Sequence, residues 1–131
     1  SVLDLSNHAA GPGVRYRNAI SGDGLRWFCE SLGRSFGLTS LRLADNNISD
    51  KDVSALAQVL RVNLALIHLD LNRNRIGSRG AQLLFDALAR NRSLRHLHLV
   101  GNGISIEAVR LSVIGLVSML TSSRPGQWSS C

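Results

Sequence analysis

Apolar residues recur along this chain in a pattern that repeats every 28 residues. The pattern L-x-x-L-x-L-x-x-N-x-I begins at Leu38, Leu66 and Leu94, and the three copies align without insertion or deletion. Self-similarity at a period of about 20 to 50 residues is the sequence signature of a repeat architecture. Further apolar columns at the same spacing show that the rest of the unit is repeated too: Leu25, Val53, Ala81 and Val109, then Leu32, Leu60, Leu88 and Leu116.

Each unit is predicted to contain one short strand and one helix. In the L-x-L part, strand alternation points both leucines to the same side. After the asparagine the apolar spacing becomes helical, so that Val53, Leu56 and Leu60 share one face. Ser49 and Asp52 resemble a capping box and predict a helix start just ahead of Val53. Because one strand and one helix cannot bury their apolar sides alone, neighbouring units must stack.

The repeated motif resembles that of leucine-rich repeat proteins, and units of this length with a full helix are similar to the ribonuclease-inhibitor-like class. The resemblance covers nearly the whole chain. It implies an α/β solenoid, a short curved horseshoe of about four units with a parallel inner sheet and outer helices. The predicted units are residues 1–37, 38–65, 66–93 and 94–121, followed by a tail at 122–131. The resemblance also implies a ladder of asparagine side chains bonded to adjacent turns, at Asn18, Asn46, Asn74 and Asn102.

The first unit departs from the pattern by an insertion. Leu5 to Asn18 spans 13 steps, whereas Leu43 to Asn46 spans 3, so ten extra residues are predicted to form a loop at 8–17. Insertions map to loops on one face of a solenoid, often the binding face. A loop without a binding role is the alternative.

No polar cap is visible ahead of the first predicted unit. Terminal repeats normally carry one, so we expect either a fragment of a longer protein or a first edge covered by something else. At the other end, the predicted helix between Ile106 and Leu120 is apolar around most of its surface, which is typical of a helix buried on several sides. Either the tail, with Trp128, folds back as a cap, or a partner, a further domain or a second copy covers this helix.

Strand alternation also predicts the side chains that face outward from the inner sheet. Since parallel strands lie about 4.8 Å apart, these side chains form columns of neighbours. The columns are Val2, Ser40, His68, His96; Asp4, Arg42, Asp70, His98; and Ser6, Ala44, Asn72, Val100. The candidate protein-binding residues of this sheet face are Asp4, Arg42, His68, Asp70, Asn72, His96 and His98.

The charge of the chain comes almost wholly from arginine. The formal net charge is +6, and Lys51 is the sole lysine, which favours an acidic partner without bearing on the fold. Nucleic acid is a weaker alternative, because single-strand binding uses stacked aromatic side chains and the aromatic content is 5%. A strand-exit rim is predicted to bind acidic protein surface, with a tyrosine as an aromatic anchor: Arg15, Tyr16, Arg17, Arg73 and Arg75.

The sequence carries no motif of a catalytic or cofactor site. It has no phosphate loop, no G-x-S-x-G and no H-E-x-x-H, and we expect neither enzymatic activity nor a cofactor. The histidine cluster at 68, 96 and 98 with Asp70 suggests a metal, but His96 and His98 lie two apart on one strand and would share an ion only with favourable rotamers. We expect no metal there, and instead a polar patch whose charge rises below about pH 6.5.

The cysteines and the hydropathy bear on the compartment. Cys29 falls on a predicted buried helix face and Cys131 is the last residue, so no disulfide framework is expected. This usage fits a reducing intracellular compartment, the cytoplasm first. No stretch approaches the roughly 20 unbroken apolar residues of a membrane-spanning helix, and no membrane partner is expected.

The resemblance implies a protein–protein interaction module that binds through its concave sheet and strand-exit rim. A first alternative is a structural section of a larger scaffold, docked through its apolar ends. A second is a regulatory domain, since similar repeats occur in activators of small GTPases and in innate-immune receptors. The loop residues that the activators use have no match in this chain.

Overall fold

The computed structural model describes residues 1–6, 20–34, 37–105 and 129–130. The predicted loop at 8–17, Asn18 and the predicted last helix beyond Ser105 lie outside the described residues. In the described parts, strands and helices alternate up to β4, and a fifth strand follows from the tail. The elements are β1 (Val2–Asp4), α1 (Gly22–Gly33), β2 (Ser40–Arg42), α2 (Asp50–Val62), β3 (His68–Asp70), α3 (Ser78–Arg90), β4 (His96–His98) and β5 (Ser129–Ser130).

The strands form one parallel sheet in the order β1-β2-β3-β4-β5. The sequence repeat sets the register, because Leu41 lies opposite Leu69 and Leu69 opposite Leu97. A parallel pair needs a crossover connection, and α2 and α3 each lie within one. At the far edge, Leu97 lies opposite Ser130 of the tail. The sheet therefore grows by one strand per repeat and ends on a two-residue strand from the tail.

The repeated leucines fill one continuous apolar core between the sheet and the helices. Leu41 and Leu69 are 0% exposed and Leu97 is 2% exposed, and the helix columns that contain Val53 and Ala81 are buried with them. Burial of leucine side chains of this size stabilises a fold by about 1.5–3 kcal/mol each. The predicted α/β repeat solenoid is thus confirmed.

The start of α2 follows from the sequence signal at Ser49. The helix begins at Asp50 with Ser49 as its N-cap, and the Ser49 backbone N–H donates to Asp52 Oδ2 at 3.0 Å. This interaction satisfies one donor at the helix start. Asp52 Oδ1 also accepts the N–H of Gly22 at 2.9 Å, so the same carboxylate joins two successive units.

The turn after each of the three middle strands uses a left-handed backbone. Asp45, Arg73 and Gly101 stand at the same position of successive units and have φ angles of 60°, 53° and 76°. Glycine adopts this conformation without strain, whereas other L-residues adopt it rarely. A Cβ atom at Gly101 would lie 3.0 Å from Cγ of Arg73, so the glycine also makes room for the arginine of the preceding turn.

A ladder of asparagine side chains joins the turns at the strand exits. Asn74 Nδ2 donates to the carbonyl of Leu43 in the preceding unit and to that of Leu71 in its own unit, both at 3.0 Å. Its Oδ1 accepts the N–H of Asn46 at 2.9 Å. Asn46 and Asn102 bond to their preceding units in the same way. Buried backbone groups at the turns are satisfied by these amides, which is why an asparagine recurs here.

A second asparagine ladder joins the helix ends, and sequence reasoning missed it. Asn91 is the C-cap residue of α3, and its Nδ2 donates to the carbonyl oxygens of Leu60 and Asn63. Its Oδ1 accepts the N–H groups of Ser93 and Leu94 at 2.9 and 2.7 Å. Asn63 makes the equivalent bonds one unit earlier. Both are buried, and the recurrence of N-x-x-L at 63 and 91 was the available signal, although it does not by itself indicate burial.

Candidate functional site

The outward columns of the sheet line an open groove. The pairing places Ser40, His68 and His96 in one row and Arg42, Asp70 and His98 in the next. All of these side chains except His96 line a groove of about 650 Å³, together with neighbours from β1 and the strand exits. The small side chain of Ser40 is buried between larger neighbours, at 8% exposure. The groove is therefore lined by small, charged, imidazole and aliphatic side chains together.

The two histidines of the first row stack on one another. The rings of His68 and His96 lie 4.4 Å apart at an angle of 8°. The pKa of His68 is lowered from 6.5, first by partial burial of the ring and then by the nearby His96, His98 and Arg42. His68 therefore takes up its proton at a lower pH than a free imidazole does, within the range below about pH 6.5 in which this patch is expected to gain charge.

The charged row combines an ion pair with local bracing. Arg42 Nη1 lies 3.6 Å from Asp4 Oδ2, and both side chains are substantially exposed. Such a surface pair is worth under about 1 kcal/mol. Asp4 Oδ1 accepts the N–H of Ser6 at 3.0 Å, and Asp70 Oδ1 accepts the N–H of Asn72 at 2.9 Å. The carboxylates thus fix the backbone after their strands while presenting charge to the groove.

Asn72 connects two strand exits. Its Oδ1 accepts the N–H of Val100 at 2.8 Å, and its side chain is half-buried. A partner that engages Asn72 would therefore meet an amide already oriented by the fold. Val100 beside it exposes 49% of its surface, and Val2 at the other end of the face exposes 63%. Neither valine was among the predicted binding residues. Their aliphatic side chains give the face its apolar contacts.

The strand-exit rim holds an ion pair that links successive units. Arg73 Nε lies 2.8 Å from Asp45 Oδ2. The charge of Arg73 is thus partly neutralised by Asp45. Sequence reasoning missed Asp45, which belongs to the rim. The opposite charges 28 residues apart were the available signal. Arg75 is exposed, and its backbone N–H donates to the Ile48 carbonyl at 2.8 Å.

The other predicted members of the rim are Arg15, Tyr16 and Arg17, and they lie outside the described residues. Their approach to Arg73 and Arg75 stays a prediction. The described rim consists of Asp45, Arg73 and Arg75, and it borders the sheet face through Arg73, which lines the groove.

The described part of the chain gives little support for metal binding or for a reactive thiol. Within residues 1–6, 20–34, 37–105 and 129–130, no three or more histidine, cysteine or acidic side chains are placed to hold a metal ion. Cys29 is 2% exposed, and burial, assisted by the charge of Asp52, raises the pKa of its thiol to about 12. The nucleophilic thiolate form is thereby suppressed. Nor does any described helix combine the length and apolarity needed to cross a bilayer.

Comparison with known proteins adds a family and a fold. A family model described as Leucine Rich repeat matches residues 37–57, 62–85 and 90–109. Among solved structures 49 chains match, including one titled leiomodin-1 actin-binding site 2. That structure is 19% identical, with a TM-score of 0.65, and the match covers 92% of this chain and 80% of that one. At this identity the likeness concerns the fold. No curated protein matches.

Proposed function

This chain belongs to the leucine-rich repeat family, and we propose that it is a protein-interaction module that binds its partner on the sheet face. The ribonuclease-inhibitor-like subtype, the four-unit division with its tail and an intracellular, cytoplasmic location are parts of this proposal. Repeat solenoids bind partners through extended surfaces, since each unit adds one strip of side chains to a continuous face.

The observation that carries the proposal is the composition of the outward sheet face. A sheet face without a binding role would need only small or uniformly solvated side chains. This one presents a groove lined by the ring of His68, the Arg42–Asp4 pair and the exposed side chain of Val2, with the ring of His96 stacked on His68. Aromatic rings, arginine and exposed aliphatic groups held on a rigid sheet are the mixture that protein interfaces use.

The charge of this chain supports a further part of the proposal, namely that the partner presents an acidic surface. The formal net charge is +6. Arg42 is exposed and lines the groove, and Arg75 is exposed on the strand-exit rim. Arginine donates two parallel hydrogen bonds to a carboxylate, which makes it effective at such contacts. Binding should therefore weaken as the salt concentration rises.

The test uses two matched triple variants. The sheet-face variant carries Arg42→Ala, Asp70→Ala and His98→Ala. The helix-face variant carries Ser54→Ala, Gln58→Ala and Gln82→Ala, which are exposed positions on α2 and α3. Both variants should keep the circular dichroism spectrum of the unchanged chain, because none of the six side chains is fully buried.

The first purified probe is actin, because the leiomodin-1 structure is titled an actin-binding site. Co-sedimentation should detect binding to the unchanged chain and to the helix-face variant, and at least tenfold weaker binding to the sheet-face variant. If the chain does not sediment with actin, quantitative mass spectrometry compares the proteins that the unchanged chain and the two variants capture from a cell extract. A sheet-face variant that keeps every partner would overturn the proposal.

A further inference from the structure

The loops that lead from a helix to the next strand lie at the opposite end of the strands from the strand-exit rim. The loop after α2 carries two exposed aliphatic side chains, Val62 at 65% and Leu64 at 67% exposure. The other exposed large apolar side chains of the described residues stand in three separate segments: Val2, Trp27 and Val100. The loop after α2 is therefore the place in the described chain where two exposed aliphatic groups stand side by side.

Asn63 fixes the backbone between these two aliphatic residues. Its backbone is extended, with φ -73° and ψ 131°, and its side chain is buried. The amide Nδ2 donates to the carbonyl of Leu32 at 3.0 Å, and Oδ1 accepts the N–H of Leu66 at 2.8 Å. Because side chains alternate along extended backbone, the buried asparagine directs Val62 and Leu64 outward. A partner that binds them therefore orders little of this chain.

The next unit repeats this backbone with different side chains. Asn91 has φ -80° and ψ 136°, is buried, and bonds to the preceding unit in the same way. Arg90 and Arg92, on either side of it, take the places of the aliphatic pair and are exposed. One unit before Val62, the exposed residue at the equivalent position is Arg34. The aliphatic pair thus lies between cationic residues of the units before and after it. We call this surface the return rim: Arg34, Val62, Leu64, Arg90 and Arg92.

The positive charge of the return rim is not offset within its own loops. The three loops contain neither aspartate nor glutamate: residues 33–39, 61–67 and 89–95. At the strand-exit rim, by contrast, Arg73 is paired with Asp45. Within the residues that the structure describes, neither Arg34 nor Arg90 forms an ion pair. These charges are therefore available to a partner.

Helix ends explain part of this charge but not the whole arrangement. A cation near the end of a helix is favoured by the helix dipole, which accounts for Arg34 and Arg90. An acidic residue also stands one turn before each of them, Glu30 in α1 and Asp86 in α3, and such exposed helix pairs stabilise little. Neither effect explains Arg92, which lies beyond the end of α3. Neither explains why aliphatic side chains are exposed between the arginines.

We propose that the return rim binds a protein segment whose aliphatic side chains are flanked on both sides by aspartate or glutamate. Val62 and Leu64 would contact the aliphatic groups, and the arginines on either side would donate paired hydrogen bonds to the carboxylates. Any anionic surface would satisfy the charge alone, but the order cation, aliphatic pair, cation along the row of units matches a segment with the complementary order. The return rim is no part of the sheet face, so this proposal does not depend on the proposed function.

The probe is a fluorescein-labelled peptide with a leucine–valine–leucine centre and glutamates on both sides. A second peptide with serines at the centre is the control for charge. Fluorescence anisotropy at low ionic strength should show that the unchanged chain binds the first peptide, and that it binds the second at least about tenfold more weakly. Binding of the first peptide should also weaken as salt is added, because exposed charges are screened.

The repeat itself supplies a variant that separates apolar contact from charge. Val62→Arg with Leu64→Arg copies the side chains of the next unit onto a loop with the same backbone, so the fold should be kept, as circular dichroism can verify. This variant gains positive charge but loses the aliphatic pair. We expect it to bind the first peptide at least about tenfold more weakly than the unchanged chain, whereas attraction by charge alone would make its binding tighter.

A matched pair of variants tests the arginines. Arg34→Gln with Arg90→Gln should weaken binding of the first peptide at least about tenfold. Arg26→Gln with Arg79→Gln removes the same charge from exposed positions nearer the beginnings of the same two helices, and it should change the affinity less than about twofold. The sheet-face variant described above should bind this peptide as the unchanged chain does.

Several results would overturn the proposal. The unchanged chain could fail to bind the first peptide, the double arginine substitution at 62 and 64 could leave its binding undiminished, or the two glutamine variants could lose affinity equally. Loss of binding in the sheet-face variant would mean that the peptide occupies the sheet face, which would support the proposed function instead. Finally, phosphatidylserine vesicles that displace the peptide from the unchanged chain would show that a lipid surface, and not a protein segment, occupies the return rim.

Discussion

Gly80 lies where the first turn of α3 passes the start of α2. Asp50 Oδ1 accepts the N–H of Gly77 at 2.6 Å, and a Cβ atom at Gly80 would overlap that oxygen and lie 2.9 Å from Cγ2 of Ile76. Gly80→Ala should lower the free energy of unfolding by about 1–3 kcal/mol, because overpacking a filled site has this cost. Urea denaturation measures the change.

Gly24 is the matched control, since it holds the same repeat position in α1. Nothing lies within 4 Å of a Cβ atom there. Gly24→Ala should therefore stabilise the protein by about 0.5–1 kcal/mol through helix propensity alone. Equal effects of the two substitutions would contradict the steric argument.

The asparagines show what residue-level reasoning could and could not predict. Asn46 and Asn74 were found because they belong to a motif whose spacing fixes them at a turn. Asn63 and Asn91 recur at the same spacing, yet a polar residue at a helix end is usually solvated. Their burial depends on the neighbouring unit, which covers the loop from the side. That contact is a property of stacking and is not encoded in the local pattern.

At the scale of the element, Asn91 connects the end of α3 to the preceding unit. Its side chain makes bonds both to the unit before, at Leu60, and to its own loop, at Leu94. Asn91→Ala should lower the free energy of unfolding by about 3 kcal/mol, because buried backbone groups that lose their partners cost about 1–3 kcal/mol each. Chemical denaturation measures the loss.

The control for this substitution is Gln82→Ala on the exposed side of the same helix. Exposed substitutions away from caps and cores usually change stability by less than about 0.5 kcal/mol. Asn91→Asp provides a second comparison, since it keeps the acceptor oxygen for Leu94 but loses the donor to Leu60. A loss as small as that of Gln82→Ala would show that the helix-end ladder is dispensable.

The histidine row predicts a pH response of β3 and β4. The pKa of His68 is lowered from 6.5 by partial burial and by neighbouring His96. As the pH falls, the unfolded chain therefore takes up this proton before the folded chain does. Protonation of His68 leaves the free energy of unfolding unchanged well above pH 6.5 and lowers it as the pH falls through that value. An NMR titration of the ring protons should place the midpoint of His68 below 6.5.

Substitution tests the cause of the shift. His96→Ala should raise the His68 midpoint towards 6.5, because it removes both the covering ring and its charge. His98→Ala should raise it less, because His98 is a smaller cause. A midpoint that responds equally to both, or to neither, would argue against the stacked pair as its origin.

Element-level patterns predicted the sheet face but not its internal contacts. Strand alternation is a backbone property, so it indicated correctly that Arg42 and Asp70 share a row. Whether Arg42 turns towards Asp4 or Asp70 depends on rotamers and solvation, and the structure has it at Asp4. The Arg73–Asp45 pair arises in the same way, from two turns that only the fold brings together.

For the whole molecule, stability is expected to follow the position of a unit in the row. In a solenoid each unit contacts only its neighbours. Leu69 lies in β3 between two paired strands and is 0% exposed. Leu3 lies in β1, the first strand of the sheet among the described residues, and is half-buried. The same side chain at the same repeat position thus has two neighbours in one unit and one in the other.

Replacement of these two leucines measures that difference. Leu69→Ala should lower the free energy of unfolding by about 2–5 kcal/mol, the usual cost of a cavity in a packed core, and Leu3→Ala should cost less than half as much. Hydrogen exchange should show lost protection in both β2 and β4 for Leu69→Ala, but in β2 alone for Leu3→Ala. Equal losses would mean that the solenoid unfolds as one unit whose end is as tightly held as its centre.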